Sequence, residues 1–328
     1  MTQPDPTKRA DLVLEGGGVK GIGLVGAVIT LSEAGWSFPR VAGTSAGAIC
    51  AALVAALQEA GKPMSDLNSI MATIDYGEFM QGDWAERHLG KAGQLGHLAI
   101  HGGMYSGDYL VEWLGQALET IGITTFGQLR MADPDSSLPP ADRYRLVVHT
   151  ADITRNKLVR LPWDYPEYGV TVDDTRIVDA VRASMSIPFF FMPVRFNAPA
   201  HDDGVDNFAA GEVTWVDGGL LSNFPIEVFD RSDGAPSRWP TIGVKLSAAS
   251  PTPIVEHNPD DALGEAVGCV RTALDNANRF YVAPDKAQRT IFVDTFNLSA
   301  TDFHLTPADQ QRLFASGAAA ANVYLGRA

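Results

Sequence analysis

Three short stretches of the 328-residue chain hold residues whose types and spacing could do chemistry. In "GTSAG", Gly43, Ser45 and Gly47 form G-x-S-x-G. A serine set between glycines on a strand-to-helix turn presents its hydroxyl at a helix N-terminus, where the dipole favours developing negative charge. In "EGGGVKG", Gly16, Gly17, Gly18 and Gly21 lie on a tight turn around Lys20. Such a turn aims backbone N–H groups at an anion, either a dinucleotide pyrophosphate, through the G-x-G-x-x-G spacing, or the oxyanion of an acyl transfer. In "VTWVDGG", a β-forming run ends at Asp217, and Gly218 and Gly219 let the chain turn close to another backbone. A carboxylate there could take a proton directly from a serine hydroxyl.

The dinucleotide reading calls for an acid at the end of the second strand, about 20 residues on. Arg40, Val41 and Ala42 instead run straight into "GTSAG". A Walker loop fails as well, because Gly21 follows Lys20 where Ser or Thr is needed. Acyl transfer suits both turns, since loops leaving adjacent parallel strands gather at one sheet edge. The N–H groups of Gly17 and Gly18 would then face a carbonyl attacked by Ser45. The residues alone leave the base open between Asp217 and a histidine. Of His88, His97, His101, His149, His201, His257 and His304, only His257 and His304 follow Asp217 in the order of an α/β-hydrolase triad. Against a triad, Ser45 sits on the second strand, whereas that fold places its elbow after several. A catalytically silent binding protein with the same turns is the other alternative.

The elements that must position these residues alternate. "ADLVLE" reads as a strand, "IGLVGAVITLSEAG" as a helix, "RVAG" as a strand and "AICAALVAALQEAG" as a helix. This β-α-β-α order predicts an α/β fold with a mainly parallel central sheet flanked by helices. Residues 64–131 read as a mostly helical insert. "YRLVVHTADIT", "EVTWVDGG" and "TIGVKLS" read as strands, and "TRIVDAVRASM", "DALGEAVGCVRTALDNANRFYV" and "TPADQQRLFASGAAAANVYL" as helices, with loops at 133–142, 198–211 and 230–240. No repeat or low-complexity linker divides the chain, so residues 1–10 are expected to be a flexible tail and residues 11–328 a single domain.

Composition excludes some partners. With 25 basic against 39 acidic side chains, the formal charge of −14 repels nucleic acid and disfavours standing adhesion to anionic lipid. It permits transient contact with a membrane or micelle through an apolar patch. Cys50 and Cys269 lie in apolar, helix-like runs and read as two buried thiols, with neither a disulfide nor a metal implied. The polar N-terminus is no signal peptide, and the longest apolar run, 46–57, is short for a bilayer span, so a soluble, cytoplasmic protein is expected. "MSIPFFFMPV", with Phe79, Met80, Trp84, Met104 and Tyr105, offers side chains for an apolar channel.

"EGGGVKG", "GTSAG" and "DGG" occur here in the order and form found in the patatin-like phospholipases, lipid acyl hydrolases with a Ser-Asp dyad. "AVRASMSIPFFFMPV", "DGGLLSNFP", "GGMYSGDYLVEWL" and "TTFGQL" also resemble segments of that family, so the similarity covers residues 11–229. The resemblance implies Ser45 as nucleophile and Asp217 as base. It also implies the Gly16–Gly21 loop as oxyanion hole, with Lys20 where the family has Arg or Lys. Gly219 stands where many members have alanine. An acyl lipid or related ester is the implied substrate, with no cofactor and no metal.

Overall fold

The apolar runs that lead into the two glycine turns form neighbouring strands. In the computed structural model, β1 (Asp11–Leu14) and β2 (Val41–Thr44) are parallel, with Leu12 opposite Val41 and Leu14 opposite Gly43. Every residue of both is buried, as expected of central parallel strands covered on both faces. The structure describes residues 7–80, 102–133, 136–247 apart from 232, 234 and 236, then 265, 268–270, 272, 283–300 apart from 297, and 305–327.

β11 (Thr241–Lys245) and β12 (Thr290–Phe292) extend the parallel sheet beyond β1, and β4 (Leu146–Asp152) extends it beyond β2. Antiparallel strands β5 (Lys157–Leu161), β7 (Val194–Ala198) and β10 (Gly211–Asp217) complete the order β12-β11-β1-β2-β4-β10-β7, with β5 on β4. The architecture is therefore the expected α/β fold with a mainly parallel sheet. α1 (Ile22–Glu33) follows the first glycine turn, and α2 (Ala46–Glu59) follows Ser45 directly. α2 is buried from Ala46 to Leu57, which explains its small side chains: a helix enclosed on all sides has little room around its backbone. The Pro307–Tyr324 helix, started by a Thr306–Asp309 capping box, packs along α1.

Several expectations need correction. The insert at 64–131 holds α3 (Asp66–Met71) and the Asp108–Ile121 helix but also a strand, β3 (Gly103–Tyr105), which pairs in parallel with β6 (Phe189–Phe191). The expected loop at 198–211 contains a small hairpin, β8 (His201–Asp202) with β9 (Asn207–Phe208). Strands of two or three residues are too short to carry a readable period. Within the expected tail at 1–10, Lys8 Nζ donates to Ala34 O at 2.9 Å, Arg9 bridges to Ser37, and Ala10 is fully buried, so the fold begins by Lys8. Cys50 is buried as expected, but Cys269 is exposed, since apolar neighbours in sequence do not decide which side of a helix faces the core. Most of the helix expected over 261–282 lies outside the described residues.

Candidate active site

Ser45 alone makes the turn between β2 and α2. Its backbone has φ +53° and ψ −125°, the left-handed side that side-chain-bearing residues avoid at a cost of about 1–3 kcal/mol. The turn packs so tightly that a Cβ on Gly47 would stand 2.3 Å from Leu14 O, so glycine is required there. Gly43 meets the same turn from the strand side. The Ser45 N–H donates to Ser184 Oγ at 2.8 Å, and its hydroxyl donates to Met185 Sδ at 3.6 Å.

Sheet register brings Asp217 to the serine. β5 pairs with Val148–Asp152, so β2 and β10 must share the opposite edge of β4. On that edge Thr44 lies opposite His149 and Asp217 opposite Thr150, so the C-terminal ends of β2 and β10 meet on consecutive rows. The Asp217 carboxyl is buried, at 1% exposure. Its Oδ1 accepts the Gly219 N–H at 2.7 Å in the turn begun by Gly218, while Oδ2 has no hydrogen-bond partner. Burial pushes this carboxyl up to about 7, against the pull of the Ser45 hydroxyl and the Gly219 N–H. Ser45 and Asp217 are thus neighbours, with the hydroxyl turned onto a long sulfur contact and one carboxylate oxygen unpartnered.

The glycine loop faces the elbow. Gly16 is clasped by Asn223: its N–H donates to Asn223 O at 3.0 Å, and Asn223 Nδ2 donates to Gly16 O at 2.9 Å. Val19 N–H donates to Ala300 O at 3.1 Å. Among the described residues, the intervening N–H groups of Gly17 and Gly18 have no backbone acceptor. Gly18 has φ +55°, and a Cβ on it would lie 1.9 Å from Ala300 O. Gly21 stands over the elbow, where an added Cβ would be 3.2 Å from that of Ala46. Lys20 is buried, and its charge acts on Glu15, which is fully enclosed and held by the Lys245 ammonium and the Leu246 N–H. Burial still raises the Glu15 carboxyl above its ordinary value.

Val19, Ile49, Ile74, Phe79, Met185 and Phe191 are among the side chains around a narrow apolar cavity beside Gly18 and Ala46. It holds about 20 Å³, room for little more than one water. Phe79 and the Met185, Ile187 and Phe191 side chains of "MSIPFFFMPV" line this small cavity. Tyr105 packs instead on Phe190 and Phe191, while Trp84 lies outside the described residues.

Ser184, Asn223, Glu15 and Lys245 escaped the sequence reading. An acid and a base each ending an otherwise apolar strand was the readable signal for Glu15 and Lys245; Ser184 and Asn223 had none. His149 is fully buried on β4, its imidazole pushed down to about 4 by burial, and His201 lies beside Asp203; neither hydrogen-bonds to Ser45 or Asp217. His88, His97, His101, His257 and His304 lie outside the described residues. No group among the described residues is suited to hold a metal ion, and no helix among them is long and apolar enough to cross a membrane.

The chain is 32% identical over 319 residues to the uncharacterized protein YqhO of Bacillus subtilis (strain 168), covering 96% of this chain and 97% of that one. Its fold resembles that of VipD from Legionella pneumophila, with a TM-score of 0.51 at 17% identity, covering 97% of this chain and 67% of VipD. The family model described as patatin-like phospholipase matches residues 12–230, a span that holds both glycine turns, the elbow and Asp217. The chain belongs to the patatin-like phospholipase family.

Proposed function

We propose that this lipid hydrolase cleaves acyl esters, phospholipids or related lipids, through an acyl-serine intermediate formed by a Ser45–Asp217 dyad. The observation that carries the reading is the buried Asp217 carboxyl beside Ser45, with Oδ2 unpartnered and the group poised near neutrality. As Ser45 Oγ bonds to the ester carbonyl carbon, its proton passes to Asp217 Oδ2. The carbonyl oxygen becomes an oxyanion, met by the N–H groups of Gly17 and Gly18. Collapse of the tetrahedral species expels the alcohol, which takes the proton back from Asp217 and leaves the acyl-serine. Water then gives a proton to Asp217 and attacks the acyl carbon. The fatty acid leaves, and the proton returns to Ser45 Oγ.

Ile49, Phe79, Met185 and Phe191 line the apolar cavity beside Gly18 and Ala46 and suit an acyl chain, which needs more room than the cavity's about 20 Å³. Lipid is reached by transient contact with a membrane or micelle. We place the protein in the cytoplasm, supported by the free thiols of Cys50 and Cys269.

The test is a fluorophosphonate label with mass mapping, alongside turnover of a soluble nitrophenyl ester. Labelling at Ser45, and turnover lost in both Ser45→Ala and Asp217→Asn but kept in His257→Ala and His304→Ala, is expected. Folded Ser45→Ala with substantial turnover removes Ser45 from the mechanism. A folded His257→Ala or His304→Ala as inactive as Ser45→Ala replaces the dyad with a triad.

A further inference from the structure

The turn that ends the Ile177–Ser184 helix, Ser184-Met185-Ser186, touches both members of the dyad, yet the mechanism gives Ser184 and Ser186 no role. Ser184 is fully buried and its Oγ is doubly engaged. It accepts the Ser45 N–H at 2.8 Å and donates to the His149 carbonyl at 2.6 Å. Two residues on, Ser186 O accepts the Asp217 N–H at 2.8 Å. The His149 carbonyl is itself a junction, because the Gly218 backbone packs on it so closely that a Cβ there would lie 2.3 Å away.

A link of this kind answers a local need. Ser45 precedes the first residue of α2, where helix N–H groups have no intrahelical carbonyl to meet. The residue is 4% exposed, so water does not substitute, and its left-handed backbone relaxes unless its surroundings hold it. A hydroxyl is both acceptor and donor on one atom, which is what a bridge from an N–H to a carbonyl requires.

We propose that Ser184 is a positioning residue: by accepting the Ser45 N–H while donating to His149 O, it holds the strained elbow in the register that sets Ser45 Oγ against Asp217 and the incoming carbonyl. The role rests on the reading of Ser45 as the nucleophile. Ser184 touches no reacting atom, so its loss acts on the chemical step through geometry, and small displacements there cost up to a hundredfold in rate.

The experiment compares wild type with Ser184→Ala, Ser184→Thr and Ser184→Cys on a soluble nitrophenyl ester, with Ser45→Ala as the blank and circular dichroism to monitor folding. Ser184→Ala is expected to lower kcat by about 10- to 100-fold with KM within about twofold, and to slow fluorophosphonate labelling in parallel. Ser184→Thr, which keeps the hydroxyl, is expected to regain most of the loss. Amide exchange at Ser45 should speed up in Ser184→Ala and slow again in Ser184→Thr. Folded Ser184→Ala with kcat near wild type, a change confined to KM, or Ser184→Thr no better than Ser184→Ala overturns the proposal. If Ser184→Ala does not fold, Ser184→Cys takes its place; its thiol bonds weakly, so a reduced kcat is expected and an unchanged kcat overturns the role. Wild type without Ser45-dependent turnover would refute the functional reading instead. The Ser45 amide would then still judge the bridge, with unchanged exchange in Ser184→Ala overturning it.

Discussion

Asp217→Asn should abolish turnover and, as pH rises, make the fold progressively more stable than wild type. The Asp217 carboxyl is raised from 3.8 to about 7 by burial. Below the lower value it is protonated in both folded and unfolded chains and costs nothing. Between the two values the unfolded chain ionises while the folded one does not, so folding loses ground as pH rises and the full loss is reached above the folded value. A shift of about 3 units at about 1.36 kcal/mol each is ~4 kcal/mol, of which about 2–3 kcal/mol falls between about pH 5 and about pH 8.5. The asparagine variant carries no such slope. Its amide adds buried N–H groups at the Oδ2 position, a constant offset of about 1–3 kcal/mol that leaves the slope unchanged. Urea denaturation of both proteins across that range measures the difference, in which the other titrating groups largely cancel. A stability difference flat to within about 1 kcal/mol from about pH 5 to about pH 8.5 refutes the buried, raised carboxyl. The same group acting as base gives kcat/KM an acid limb with a midpoint near 7, and a profile already flat at about pH 5 removes it from that role.

Gly18→Ala places a methyl within 1.9 Å of Ala300 O at a left-handed backbone, so the loop shifts and kcat should fall by about 100-fold with little change in KM. A purely raised KM counts against the Gly18 N–H as an oxyanion donor. Met185→Leu removes the sulfur that holds the Ser45 hydroxyl while keeping an apolar side chain of similar size, so kcat should stay within a few-fold or rise; a hundredfold loss means that the contact is part of the working state. Lys245→Met removes the ammonium paired directly with the buried Glu15 carboxyl beneath the glycine loop and should cost about 3–5 kcal/mol in denaturation, with most of it recovered in the Lys245→Met, Glu15→Gln double variant. Equal losses in the single and double variants show that the pair is not what supports the loop.

Local chemistry made much of this protein legible. Gly16, Gly17, Gly18, Gly43 and Gly47 announced turns because only glycine tolerates the backbone contacts found at Gly18 and Gly47, and the apolar runs around them announced a parallel sheet. Close packing at these turns also explains why short motifs sufficed to suggest the family, since their residue types are dictated by neighbours within a few ångströms. The β3–β6 pair and the β8–β9 hairpin were illegible because two or three residues carry no period, and the exposure of Cys269 because burial depends on what a helix packs against.

By itself the sequence determined where the turns lie, which residue types sit on them and that a serine, an acid and a run of N–H groups of the kinds acyl chemistry needs were present. Only the tertiary structure decided that Asp217 stands beside Ser45. The two are far apart in the chain, and they meet because an antiparallel strand shares one edge of β4 with β2, a matter of register that no local pattern encodes. The same holds for the raised Asp217 carboxyl, the Ser184 bridge and the Asn223 clasp on Gly16. Burial and long-range hydrogen bonds are properties of neighbours in space, and the partners that join Ser184 to Ser45 and Asn223 to Gly16 come from distant parts of the chain.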